Sequence, residues 1–485
     1  MFNEIKQLGK QTFIYGLGSV ASSAINFILL PVYTRILTPK DYGVLDLLTS
    51  FNSILGIIIS AGIGTALFKV YYKDCNTEEE RKLTVSTALI FLMSVSFLFF
   101  FIIQFFANYL SILLLNDRQY SQIVFLASLS LMFDVLNTIP LSVYRAKEKP
   151  YHYIMISFSK LLLNILLCIY FIIIVKLGVL GVILSNLISA LSVDVLFIPY
   201  MFKLYGCYFS KKHLYKLLYF GLPFIPGGIC TWIIGNSNRY FINHFLNLSQ
   251  TGIYAFGNKL GMIIGILLVN PFQIAWPPIL FKLSNREDNK LLYSKIFQAY
   301  LLILILVGLA ISLFSNSIVS IIASSAFHES YKLIPFIIIS NIFLGLQTII
   351  VTGLWLKNKV YITSNIILLV SAINILLNYI LISKYGLVGA AVTSIISNGI
   401  LFFLTYLFSN KYYPIQYFNY KSMYLIIIAV SVLVLNYVIT PLPNIIYDII
   451  LRFIIFFTSL LILFYLRIIN PFIIKTLLID FKNNR

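Results

Sequence analysis

Apolar runs of about twenty residues, separated by short polar punctuation, recur along the whole chain. A membrane-crossing helix needs roughly 20 predominantly apolar residues. Runs of that kind cover 11–33, 43–68, 84–106, 121–143, 154–175, 178–202, 214–238, 252–275, 294–315, 332–355, 362–382, 386–408, 422–440 and 446–466. The pattern predicts about fourteen transmembrane helices in an all-α integral membrane protein. The first run is too long for the core of a secretory signal, and Pro31, Thr34 and Arg35 follow it without a small-x-small cleavage site. It reads as the first membrane helix.

Composition agrees, since 60% of the residues are hydrophobic and 11% are charged, against roughly 25% charge in a soluble domain. The net charge of +19 comes from 35 Lys and Arg against 16 Asp and Glu. In a soluble protein it would raise nucleic-acid binding; here the basic residues fall between the apolar runs. With the amino terminus in the cytoplasm, 25 of them lie inside, eight lie at outer ends (Arg35, Lys40, Arg118, Lys176, Arg239, Lys332, Lys384 and Arg452), and Lys160 and Lys259 lie within spans. That threefold bias predicts cytoplasmic amino and carboxyl termini and an even number of spans, and it removes the case for nucleic acid. Cys75, Cys168, Cys207 and Cys230 have neither metal-site spacing nor disulfide density.

The chain also repeats itself. Lys176-Leu-Gly178-Val-Leu-Gly181 returns as Lys384-Tyr-Gly386-Leu-Val-Gly389, an offset of 208. Asn164-Ile-Leu-Leu returns as Asn374-Ile-Leu-Leu, and Lys147, Lys149 and Tyr151 return as Lys357, Lys359 and Tyr361, each at 210. Gly43 answers to Gly252 at 209. Six spans per copy is an even number, so both copies enter the membrane in the same sense and form two lobes related by an axis along the membrane normal. The predicted organisation is an N-lobe over 1–205, a C-lobe over 206–415, and two extra helices with a basic cytoplasmic tail over 416–485.

Thr34-Arg35-Ile-Leu-Thr-Pro39-Lys-Asp41-Tyr-Gly43 after a first span rich in Gly, Ser and Asn resembles the opening of Wzx-type polysaccharide exporters. These oligosaccharide flippases belong to the MOP superfamily, with the lipid II flippases and the MATE drug exporters. Tyr144-Arg145-Ala146-Lys147-Glu148-Lys149, Asn238-Arg239-Tyr240 and Thr251-Gly252-Ile253-Tyr254 resemble further signatures of that family. The resemblance spans essentially the whole chain, through short and largely structural motifs. It implies a flippase without cofactor that moves a polyprenyl-pyrophosphate-linked oligosaccharide repeat unit across the bacterial cytoplasmic (inner) membrane. Such export, by alternating access, would serve O-antigen, capsule or exopolysaccharide synthesis, with membrane lipid around it and a polymerase and glycosyltransferases as partners.

Charged residues at membrane depth tend to face protein or water and to be functional. A pyrophosphate crossing low dielectric needs a counter-charge, and Arg offers the bidentate geometry phosphate prefers. Arg239, Lys259 and Arg35 are therefore the candidates for a cationic substrate-binding cavity, with interfacial snorkelling as the alternative for the two arginines. Gln11, Tyr15, Ser19, Ser22 and Asn26 share one face of span one, and Asp46, Ser50, Ser53, Ser60 and Gly64 recur along span two. Close packing accounts for the small residues, while Gln11, Asn26 and Asp46 point to a hydrated cavity lining. Asp134, Asp194 and Lys160 read either as an ion pair between neighbouring helices or as a site for a coupling proton or sodium ion. Gly221, Pro223, Pro226, Gly227 and Gly228 predict a bend in span seven.

Catalysis has little support, because the longest external connection, 316–331, offers only His328 and Glu329 as acid–base groups. No Gly-rich phosphate loop with its Lys is present either. The main rival is a MATE-like cation-coupled antiporter of small organic molecules. It would want acidic or aromatic cavity walls, whereas the flippase wants Arg239 and Lys259 facing the cavity.

Overall fold

The computed structural model describes residues 27, 29–147, 149–439, 442 and 444–466. Gln11 and Asn26, most of the predicted first span and the basic tail lie outside the described residues. Every regular element among the described residues is helical. Large apolar side chains stand out from these helices, with Phe105 84%, Leu196 70% and Tyr465 86% exposed. Surfaces of that kind are stable against hydrocarbon and costly in water.

Eleven helices are long and apolar enough to cross a membrane, or twelve when Lys211–Gly221 and Phe224–Asn236 count as one span bent by 40°. The bend falls at Pro223, where the sequence predicts it. The count of fourteen is not reached among the described residues, for two visible reasons. The first span lies largely outside them. The helix Val360–Tyr412 runs 53 residues, about 80 Å at 1.5 Å per residue, against a hydrocarbon core of about 30 Å. It breaks at Gly386, where the backbone turns out of helical geometry (φ 57°, ψ −133°), so the predicted spans eleven and twelve lie to either side of that turn.

The duplication is written in the backbone. Gly178, the counterpart of Gly386, has φ 58° and ψ −130°, a region that only glycine enters at low cost. At the other signature, Lys149 N donates to Tyr144 O at 2.9 Å and Lys359 N donates to Leu354 O at 2.8 Å, 210 positions later.

The chain divides into two compact units, one ending at Ala255 and one beginning at Phe256. The pieces of span seven pack in the first unit. There Trp232 Nε1 donates to Ser53 Oγ at 2.8 Å and to Ser50 O at 3.1 Å, which ties Phe224–Asn236 to Pro39–Ser60. In the second unit, Asp448 and Arg452 lie one turn apart on Ile445–Tyr465 and are 0% and 2% exposed. Asn316 Nδ2 donates to Asp448 at 3.1 Å. Arg452 Nη1 donates to Asn436 Oδ1 at 2.7 Å and Nη2 to Ile439 O at 3.0 Å. Arg452, expected at an outer end, is the buried clasp between the last two helices.

Candidate functional site: two ion pairs in the first unit

Helix Pro39–Ser60 starts with a capping box. Thr38 Oγ1 accepts from Asp41 N at 3.2 Å and the Asp41 carboxylate accepts from Thr38 N at 3.0 Å, with Pro39 at the first helical position. Thr-Pro-Lys-Asp is therefore a helix start. Four residues on, Gly43 meets Leu248 and Gly252 so closely that an added Cβ would overlap the Leu248 carbonyl, and a Cβ on Gly252 would overlap that of Pro39. The two signatures that begin near Thr34 and at Thr251 thus pack backbone to backbone.

Asp46, one turn beyond Gly43, is held by Arg239. The guanidinium Nε donates to Asp46 Oδ2 at 2.5 Å. Arg239 Nη1 donates to Gly235 O at 3.0 Å and Asn236 Oδ1 at 2.9 Å, and the residue is 7% exposed. Trp232 and Tyr240, with ring centroids 5.7 Å apart, flank it in sequence, and Tyr240 OH donates to Leu47 O at 3.3 Å. Asp46 and Arg239, candidates on separate grounds, are brought together as one neutral pair. Trp232 and Asn236 complete the surroundings and were not singled out from sequence. Their signal is the one-turn spacing ahead of Asn238-Arg239-Tyr240.

The second pair joins Lys160 on Pro150–Ile169 to Asp134 on Ser121–Leu136. Their side chains keep 30% and 43% exposure. Asp194, on Val179–Tyr205, is buried at 3%, and neither of its carboxyl oxygens has a hydrogen-bond partner. The neighbouring-helix ion pair is thus present between Lys160 and Asp134, with Asp194 outside it.

Lys259 sits in the last turn of Leu248–Gly261, half-buried, and Arg35 in the last turn of Leu30–Ile36, exposed. Among the described residues no three His, Cys, Asp or Glu side chains gather to hold a metal ion. Cys75, in the connection after Asp74, has its thiol pushed up by burial, in line with a packing role.

This architecture is that of a multi-pass helical membrane protein with the fold of the MOP superfamily. The structure of lipid II flippase MurJ in an inward closed conformation is similar with a TM-score of 0.73, at 15% identity, over 95% of this chain and 99% of that one. An inward-facing multidrug resistance MATE transporter is similar at 0.67 and 15% identity, over 80% and 94%. Residues 8–284 match the polysaccharide biosynthesis protein family, and the chain belongs to that family. A protein of the Lsg locus of Haemophilus influenzae is 26% identical over 53% of this chain and 62% of its own length. A membrane protein of Methanocaldococcus jannaschii is 23% identical over 56% and 54%. The chain therefore spans less than two thirds of these two relatives.

Proposed function

We propose that the protein is a flippase that carries a polyprenyl-pyrophosphate-linked oligosaccharide across the bacterial inner membrane by alternating access of two lobes, 1–205 and 206–415, without catalysing a reaction. Both termini are then cytoplasmic, and glycosyltransferases and a polymerase act before and after it. The family match carries this reading, supported by the fold shared with MurJ along nearly the whole chain.

Arg239 would then receive the pyrophosphate. Its guanidinium is buried, and a buried cation is stable only when paired. Asp46 fills that place and stands in for a phosphate oxygen until the headgroup arrives. Lys259 and Arg35 would add positive charge along the path, with Gln11 and Asn26 as neutral hydrogen-bonding walls. The neutrality of the Asp46–Arg239 pair also favours, to a lesser degree, the antiporter reading, since it lowers the barrier to an organic cation.

The test is glycan export in cells that lack their own flippase. Arg239→Ala alone strands Asp46, so the informative variant is Asp46→Asn with Arg239→Ala, checked for wild-type membrane levels. Surface glycan should vanish and lipid-linked repeat units accumulate inside, while Arg239→Lys retains part of the export. Full export by the double variant removes Arg239 from the site. Loss of organic-cation efflux with glycan export unchanged would favour the antiporter.

A further inference from the structure

Asp194 is an anomaly on electrostatic grounds. It lies midway along an apolar span, is almost wholly buried, and has no partner for either carboxyl oxygen. Polar groups in such places are normally hydrogen-bonded, and a buried carboxylate without a counter-charge is expensive. The charged groups that act on it are Lys160 and Asp134. On the other helices packed against Val179–Tyr205, Asp41 and Asp46 sit in the first turns of Pro39–Ser60 and Asp46 is held by Arg239. Glu78, Glu79, Glu80, Arg81 and Lys82 sit at the start of Glu78–Phe105, and Tyr144 and Arg145 at the end of Thr138–Ala146. His152, Tyr151 and Tyr153 start Pro150–Ile169, and Tyr170 follows its end.

The second copy of the repeat shows that the fold does not need these charges. At offsets of 210, 210 and 208, the counterparts of Asp134, Lys160 and Asp194 are Leu344, Val370 and Phe402. Val370 is fully buried, and Phe402 is buried against the ring of Phe343, the neighbour of Leu344, with centroids 5.6 Å apart. The same three-helix position is thus filled once by an apolar cluster and once by two acids and a lysine. Replacing a buried ion pair with well-packed apolar residues is often neutral or stabilising, so packing alone does not explain the charged version.

We infer that Asp194 is a proton-binding carboxyl served by the Asp134–Lys160 pair. With Asp194 protonated, Lys160 pairs with Asp134 and the cluster is neutral. When Asp194 gives up its proton, Lys160 swings to the new carboxylate, and Asp134, whose side chain is 43% exposed, takes the proton and passes it on to water. Lys160 stays an ammonium throughout, and the cycle closes when Asp194 takes a proton back from water and Lys160 returns to Asp134. The coupling of this exchange to transport rests on the transporter reading; the binding of the proton does not.

The test is infrared difference spectroscopy of the full chain in phosphatidylethanolamine–phosphatidylglycerol vesicles, without cargo. A carboxylic-acid carbonyl band should be present at neutral pH, fade as pH rises, and be lost in Asp194→Asn. In Lys160→Gln the band should persist to higher pH, because the swinging counter-charge is gone. The triple variant Asp134→Leu, Lys160→Val, Asp194→Phe should elute as a folded monodisperse protein and lose export. Absence of the band at neutral pH, or its displacement by sodium ions rather than by pH, overturns the inference, and wild-type export by the folded triple variant overturns its coupling to transport. If wild-type protein shows the band but exports no glycan, the flippase reading fails and the proton site stands.

Discussion

In the first copy of the repeat, Asn164 Nδ2 reaches Ser189 Oγ at 3.4 Å and Asn186 Oδ1 at 2.8 Å, and its own Oδ1 faces Cys168 Sγ at 4.0 Å. In the second copy, Asn374 Nδ2 donates to Ser397 Oγ at 2.9 Å and Asn378 Nδ2 donates to Asn374 Oδ1 at 3.0 Å. Ser397 and Asn378 are the counterparts of Ser189 and Cys168 at 208 and 210. Ser185 and Thr393, also paired at 208, bond back to the carbonyls of Gly181 and Gly389. The frame of hydrogen bonds and glycine turns is common to both copies. What differs is the filling, charged and partly exposed around Lys160, apolar and buried around Val370. A duplicated scaffold can keep one copy as structure while the other acquires chemistry, and the comparison separates residues required by the fold from residues that need another reason.

The sharpest way to break this comparison is to move a charge into the dry copy. Val370→Lys places an ammonium in a fully buried position with no acid at either neighbouring counterpart. A lysine at membrane depth costs about 2.5–3.5 kcal/mol on insertion scales, so the variant should lose most of its membrane-inserted yield, measured by detergent-solubilised, size-fractionated protein. Adding Phe402→Asp should recover part of it through pairing. Normal yield for Val370→Lys alone would mean that water reaches this place, and the contrast between the copies would dissolve.

The two glycine turns offer a test with a smaller effect. Gly178→Ala and Gly386→Ala each force a side chain into a backbone region costing of order 1–3 kcal/mol. The two should lower the melting temperature in detergent by similar amounts. A drop for one only would show that its counterpart relaxes, so that the shared backbone geometry is not a shared constraint.

The glycines were readable from the chain because a turn of that shape admits few other residues, so the same letter returns at a fixed offset. Span positions and the bend at Pro223 were readable for a similar reason, since each follows from local composition. Asp46, Arg239, Lys160, Asp134 and Asp194 stood out as charges in apolar runs. Their pairing did not, because Asp46 and Arg239 are 193 positions apart and many acids and bases could meet. Lys160 had two acids within reach, and only the fold distinguishes Asp134, which it engages, from Asp194, which it leaves alone. Trp232 and Asn236 were hidden because a tryptophan and an asparagine in a membrane helix are ordinary until the helix is docked. For Arg452 the charge rule gives only a side of the membrane, and it cannot foresee a buried partner such as Asp448 one turn earlier.

The smallest expected effect separates the copies by water rather than by charge. Asn374→Ala removes two hydrogen bonds between fully buried side chains, from Asn374 Nδ2 to Ser397 Oγ and from Asn378 Nδ2 to Asn374 Oδ1, so it should cost about 1–3 kcal/mol. Asn164→Ala removes bonds from a half-buried side chain whose partner Asn186 is exposed, and water can replace what is lost, so the cost should be near or below about 1 kcal/mol. Melting temperatures of the two variants, measured side by side in one detergent, should therefore fall further for Asn374→Ala. Equal losses would mean that Asn164 is as dry as Asn374.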